Sequence, residues 1–195
     1  MLYNLFSTPI AIIEEFLTDQ ERVKILGVLS ELNFGEHGSI ENGSSTFEFD
    51  ADTIGLIDKL ITGIDLRQRI EYHINIFGNY YGMNDLIVTN NWINLQNKGS
   101  LLKKHCHPNS KLSGVIFLNV DEGSSKLVFE NPNPFIHFED YHNITEYNRT
   151  DYNIQPNNNQ LIIFPSWLQH SSGYDLNLSN NRTVLSFNSK IIDKI

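Results

Sequence analysis

The spacing of apolar residues changes once along the chain, near Gly82. Before it, apolar positions recur at helical intervals; after it, they crowd into short runs separated by turn-forming residues. Residues 8–13 predict an opening strand. Thr18 or Asp19 is placed to cap a helix running to about Leu32, with Val23, Ile25, Leu26 and Leu29 as its apolar stripe. Residues 33–46 are rich in Gly, Ser and Asn and predict a loop. A short helix over residues 54–61 follows. A stronger one over residues 65–81 brings Leu66, Ile70, His73, Ile74 and Phe77 near one face and ends at Gly82.

Beyond Gly82 the strand candidates are residues 86–89, 91–95, 113–120, 126–130, 161–164 and 182–188. A β-rich half of roughly eight short strands with turns between them is the pattern of a barrel or sandwich. The fold class expected is mainly β with N-terminal helices (α+β): a jelly-roll barrel with helices packed outside it. With no repeat and no linker, residues 1–195 read as a single domain, 1–85 a helical support with its opening strand and 86–195 the β core. Residues 135–160 are the least regular. They predict either a lid carrying Phe138, Tyr141, Tyr147 and Tyr152, or a short strand pair with an insertion.

Composition narrows the partners. A chain of 195 residues with 40% hydrophobic content can bury a sizeable core. Its net charge of −9 disfavours nucleic acid, whose phosphates call for Lys and Arg. The one cysteine, Cys106, excludes an intrachain disulfide, and it reads as a small buried hydrophobe. Glu14 and Glu15 stand where a signal peptide would be apolar or basic. No apolar run reaches the roughly 18 residues of a membrane span. The expected location is the cytoplasm, or the host cytoplasm for a phage-encoded chain.

The candidate chemistry sits in His105-Cys106-His107-Pro108, His170 and Arg182. Histidines at i and i+2 of an extended segment point to one side, so a third arriving from a distant strand can close a metal site. Imidazole suits Fe, Zn, Cu and Ni. Trp167 and Leu168 are placed to shield His170 from water, and Cys106 should point away from the metal. Arg182 follows on the last strand, where a guanidinium can fork onto a carboxylate through two charge-assisted hydrogen bonds. Alternation puts Arg182, Val184, Ser186 and Asn188 on one face of that strand. This order of residues points to a non-haem iron oxygenase. His37, His73, His137 and His142 have no partner in the pattern and receive no role.

Trp92-x-Asn94, Gly99, His105-x-His107-Pro108-Asn109-Ser110-x-Leu112-Ser113-Gly114-Val115, Phe164-Pro165-Ser166-Trp167-Leu168-x-His170 and Arg182-Thr183-x-x-Ser186-Phe187-Asn188 resemble the 2-oxoglutarate/Fe(II) oxygenases of marine bacteria and phages. The resemblance implies a double-stranded β-helix of the prolyl-hydroxylase type, with the N-terminal helices bracing its major sheet. It implies Fe(II) on His105, His107 and His170, and the distal carboxylate of 2-oxoglutarate on Arg182. Trp92, Asn94, Ser186 and Asn188 would stand around that cosubstrate. The activity implied is hydroxylation of a peptide side chain or small molecule with O2, releasing succinate and CO2. One departure stands out: His107 occupies the place of the superfamily's carboxylate ligand. Two histidines with Asp50 or Asp52 are the alternative set.

A metal cupin is the second reading. Gly99 and the His-x-His spacing fit a cupin signature, but the glutamate that should follow is missing and Arg182 is left without a task. A non-catalytic jelly-roll binding protein is the third.

Overall fold

A computed structural model of the protein describes residues 6–47, 56–60 and 65–192. Thr18 caps the first helix, α1 (Asp19–Gly27). Its hydroxyl accepts the Glu21 amide at 3.2 Å, while the Glu21 carboxylate accepts the Thr18 amide at 2.8 Å. This reciprocal box satisfies two amides that a helix start leaves open. The chain then tightens into a 3-10 turn at Leu29–Glu31. Val23 is 60% exposed and faces solvent, whereas Ile25 is fully buried, so the apolar stripe is narrower than the spacing predicts. A short α2 (Leu56–Leu60) precedes α3 (Leu66–Gly78); residues 54, 55 and 61 of the expected short helix lie outside the described residues. Asp65 caps α3 by accepting the Gln68 amide, and Gly82 stops the following turn at φ +68°. That left-handed conformation is open to glycine at little cost.

The described residues contain ten strands, in chain order β1 (Ala11–Ile13), β2 (Gly35–His37), β3 (Ile40–Ser45), β4 (Leu86–Leu102), β5 (Leu112–Asn119), β6 (Leu127–Glu130), β7 (Asp151–Ile154), β8 (Leu161–Pro165), β9 (His170–Ser171) and β10 (Arg182–Ile191). Seven of them form one antiparallel sheet in the order β1-β8-β5-β10-β4-β3-β2. The other three form a smaller sheet, β7-β6-β9, which faces it. This is the double-stranded β-helix, with seven strands after Gly82 instead of roughly eight.

The large sheet is buried on both faces. On β5, Leu112, Ile116 and Leu118 pack toward the helices, while Val115 and Phe117 face the barrel interior. On β8, Leu161 and Ile163 take the helix side, Ile162 and Phe164 the barrel side. On β10, Leu185 and Phe187 join the helix-side core and Val184 the interior one. Alternation therefore shares each strand between two cores, which is why these strands read as continuous apolar runs. No helix among the described residues is long and apolar enough to cross a membrane.

Two expectations are corrected, and residues 135–160 take one of their two expected forms. Residues 33–46 are not a loop, because β2 and β3 form a hairpin that extends the sheet beyond β4. Their small residues answer to close backbone approach: a Cβ on Gly43 would lie 2.7 Å from the Leu95 carbonyl oxygen. The two strands expected at 86–89 and 91–95 are one strand of 17 residues, β4. Residues 135–160 contain a 3-10 turn at Pro134–Phe138 and then β7, which pairs with β6, so the strand pair with an insertion is the form observed.

Gly114 shows how little slack the two-sided packing leaves. A Cβ there would sit 2.3 Å from Phe187 Cζ, on a ring with no exposed surface. Gly114→Ala is expected to cost about 1–3 kcal/mol through overpacking. Urea unfolding should show a lower midpoint at an unchanged slope.

Candidate metal centre and anion pocket

The small sheet carries the histidines to one place. The His105 amide donates to the His170 carbonyl, and the His170 amide donates back to the His105 carbonyl, each at 3.0 Å. This two-bond bridge fastens the His-x-His segment to β9. His107 is held separately, its amide donating to the Ser166 carbonyl at 2.8 Å. The candidate ligand nitrogens of His105, His107 and His170 all lie within 4.8 Å of one another, and the Nε2 atoms of His107 and His170 are 3.2 Å apart. Two nitrogens each about 2.1 Å from one ion would be separated by roughly that distance.

The backbone selects the tautomers. His105 Nδ1 lies 2.8 Å from the Lys103 carbonyl and His170 Nδ1 lies 3.0 Å from the Leu168 carbonyl. A carbonyl only accepts, so each Nδ1 carries its proton and each Nε2 presents a lone pair. Burial pushes His107 down to about 4, with neighbouring His105 adding to the effect. Burial likewise holds His170 well below the ordinary imidazole range and lowers His105. All three rings are neutral at pH 7, the form that binds metal. The donor set therefore fits a divalent first-row ion. Asp50 and Asp52 lie outside the described residues.

The cavity beside the histidines also holds Arg182, Trp92, Asn94, Ser186, Val184 and Phe117. Arg182 is 3% exposed, and burial lowers it to about 10, so it remains cationic at neutral pH. Its guanidinium carbon stands 5.5 Å from the centroid of the Phe117 ring. Among the described residues no carboxylate pairs with it. Its Nη1 donates to Gln96 Oε1 and its Nε has no acceptor. A buried cation without a counter-ion is costly, and a cavity beside it is the natural place for an anion.

The remaining predicted residues divide. Trp92 is a wall, its ring 5.7 Å from that of His107. Asn94 faces the cavity, and its Oδ1 has no partner. Ser186 lines the cavity, but Asn188 does not. Asn188 Oδ1 instead accepts the Ser113 hydroxyl at 2.7 Å, and the Ser166 hydroxyl donates to Ser113 at 2.8 Å. These three buried side chains brace the loop whose carbonyl holds His107. Trp167 is 54% exposed and shields nothing; Leu168, Phe164 and Phe129 enclose His170 instead. Cys106 stays out of the ligand group as expected, but it is exposed, not buried.

Several cavity residues escaped the sequence reading, His37 and Gln96 among them. His37 lines the cavity from β2, a strand that the sequence presented as loop. Gln96 continues the inward alternation of Trp92 and Asn94, one step past the predicted end of that strand. On the outside, an open groove lies beyond Phe129 and Leu168. Ile136, Tyr147 and Tyr152 of the inserted segment wall it together with Ile10, Phe129 and Leu168, and the Phe129 ring lies 6.1 Å from that of His170.

Fold and site together define a metal-binding double-stranded β-helix with a cationic floor. A model of the family described as "Putative 2OG-Fe(II) oxygenase" matches residues 90–188, and the chain belongs to that family. No curated protein sequence matches the chain. Among solved structures, HygX from Streptomyces hygroscopicus with nickel and 2-oxoglutarate bound is similar at TM-score 0.63 and 10% identity, over 95% of this chain and 84% of that one. A 2OG-Fe(II) oxygenase family oxidoreductase from Burkholderia pseudomallei matches at TM-score 0.61 and 14% identity, covering 93% and 84%. The viral collagen prolyl hydroxylase of Paramecium Bursaria Chlorella virus-1, in its 2OG complex, matches at TM-score 0.57 and 12% identity, covering 94% and 96%.

Asn188→Ala separates bracing from cosubstrate contact. It leaves one hydroxyl of the buried Ser113–Ser166 pair without an acceptor, which is expected to cost about 1–3 kcal/mol of stability. Thermal unfolding should register the loss, while 2-oxoglutarate affinity of the folded variant stays near that of the wild type.

Proposed function

We propose that this 2OG-Fe(II) oxygenase holds Fe(II) through His105, His107 and His170, grips 2-oxoglutarate through Arg182, and hydroxylates a peptide side chain or a small molecule. The observation that carries the assignment is the placement of buried Arg182, which has no carboxylate partner among the described residues, in the same cavity as three converging neutral histidines. A cupin without 2-oxoglutarate leaves that buried charge unexplained.

When bound, Fe(II) and 2-oxoglutarate supply the oxidative chemistry: one atom of O2 goes to a substrate C–H bond and the other to the succinate that remains after loss of CO2. The protein's own groups do the rest. The Lys103 and Leu168 carbonyls keep Nε2 of His105 and His170 free of protons. Arg182, fixed by burial, orients the distal carboxylate through a charge-assisted fork. Phe164, Leu168 and Phe129 keep water from His170 and so strengthen every electrostatic contact there. With histidine in place of a carboxylate at position 107, the ligand set is neutral, and an anionic chelator is the group that offsets the charge of a divalent ion. The groove outside Phe129 and Leu168, whose outer wall is the inserted segment, is the surface offered to a substrate.

Metal analysis of protein purified without oxygen, coupled to succinate release from 2-oxoglutarate, tests the reading. One equivalent of iron and metal-dependent turnover are expected, and His170→Ala should abolish both. Turnover that persists without metal would end this assignment. Arg182→Met is expected to weaken 2-oxoglutarate binding by about 2–5 kcal/mol. Metal affinity should change little, and calorimetry of each ligand separates the two effects.

A further inference from the structure

We propose that Gln96 positions the anionic cosubstrate: its side-chain oxygen orients Arg182, and its amide NH2 is a second donor to the same carboxylate. The proposal rests on the reading that Arg182 receives the distal carboxylate of 2-oxoglutarate.

Gln96 lies on β4 directly opposite Arg182 of β10, lines the same cavity, and is 1% exposed. Arginine carries donors and no acceptor, so the Gln96 atom that meets Arg182 Nη1 is the oxygen, Oε1. That contact settles which way the amide is turned. The NH2 group is then left as a buried donor with no partner among the described residues. Arg182 Nε, equally buried, has none either. Two donors on neighbouring strands of one cavity thus lack acceptors, and buried donors are rarely left so. A carboxylate offers about four lone-pair sites on two oxygens and can satisfy both.

The neutrality of Gln96 matters as much as its shape. A glutamate here would accept from Arg182 with equal reach, but it would also cancel the charge. The amide holds the guanidinium in place and leaves the positive charge for the ligand.

The test is calorimetric titration of the protein loaded with Ni(II), which binds imidazole without turning over. 2-Oxoglutarate is compared with pyruvate, a 2-oxo acid that lacks the distal carboxylate. Gln96→Leu should weaken 2-oxoglutarate binding about tenfold, which corresponds to about 1.4 kcal/mol. Gln96→Glu, nearly isosteric, should weaken it more, because an internal ion pair replaces the ligand. Neither change should alter pyruvate binding. Affinity for 2-oxoglutarate within twofold of the wild type in both variants would overturn the proposal. So would equal losses for 2-oxoglutarate and pyruvate, which would mark Gln96 as structural. Should Gln96→Leu fail to fold, Gln96→Glu carries the test alone. Arg182→Met in the same series keeps the two readings apart. If it binds 2-oxoglutarate like the wild type, the arginine reading falls; if it loses binding while the Gln96 variants do not, only Gln96 falls.

Discussion

Two-sided burial of the seven-stranded sheet is the constraint on which the other features rest. β5, β8 and β10 each give alternate residues to a helix-side core and to the barrel interior. Neither face can shift without disturbing the other, because each strand is clamped from both sides. The interior face therefore presents its polar residues at fixed positions. Arg182 and Ser186 of β10 and Trp92, Asn94 and Gln96 of β4 stand in register across one pair of strands. A loop could not hold a guanidinium and an amide in such a relation.

The site's electrostatics follow from what surrounds it. Burial keeps three imidazoles neutral, and the neighbouring rings, which repel a further proton, act in the same direction. Burial also lowers Arg182, but from so high a starting value that it stays charged. The result is a cavity with one fixed positive charge and a set of neutral nitrogen donors. A ligand that is anionic at one end and chelating at the other complements both. Asn94, Gln96 and Arg182, which line this cavity, each carry a buried polar atom without a partner among the described residues.

The motif residues cooperate in ways that their spacing hides. Ser113, Ser166 and Asn188 come from three separate motifs and meet in one buried network. Through the Ser166 carbonyl that network reaches the backbone of His107. Asn177 has a similar part beside Gln96: its amide NH2 donates to the Gln96, Asn97 and Ser179 carbonyls and ties that end of β4 to the segment before β10. Neither role involves contact with a ligand. Each holds a chain segment that does the binding.

Much of this was legible in the residues alone. The helices were readable because capping residues and 3.6-residue spacing are local, and Thr18, Asp65 and Gly82 mark their ends as expected. The histidines and Arg182 were readable because their order along strands follows from alternation. The hairpin at β2 and β3 was not, since its Gly and Ser residues answer to the close approach of β4, a strand some fifty residues away. Trp167 and Leu168 could be placed near His170, but which of them turns inward depends on the packing of β6 and β8. The partner of Arg182 was hidden for the same reason. Sequence determines which side of a strand a residue faces, while only the pairing of β10 with β4 decides that Gln96, and no carboxylate, stands opposite the buried charge. Cross-strand register is set by the sum of contacts over the whole sheet, and no local stretch of sequence contains it.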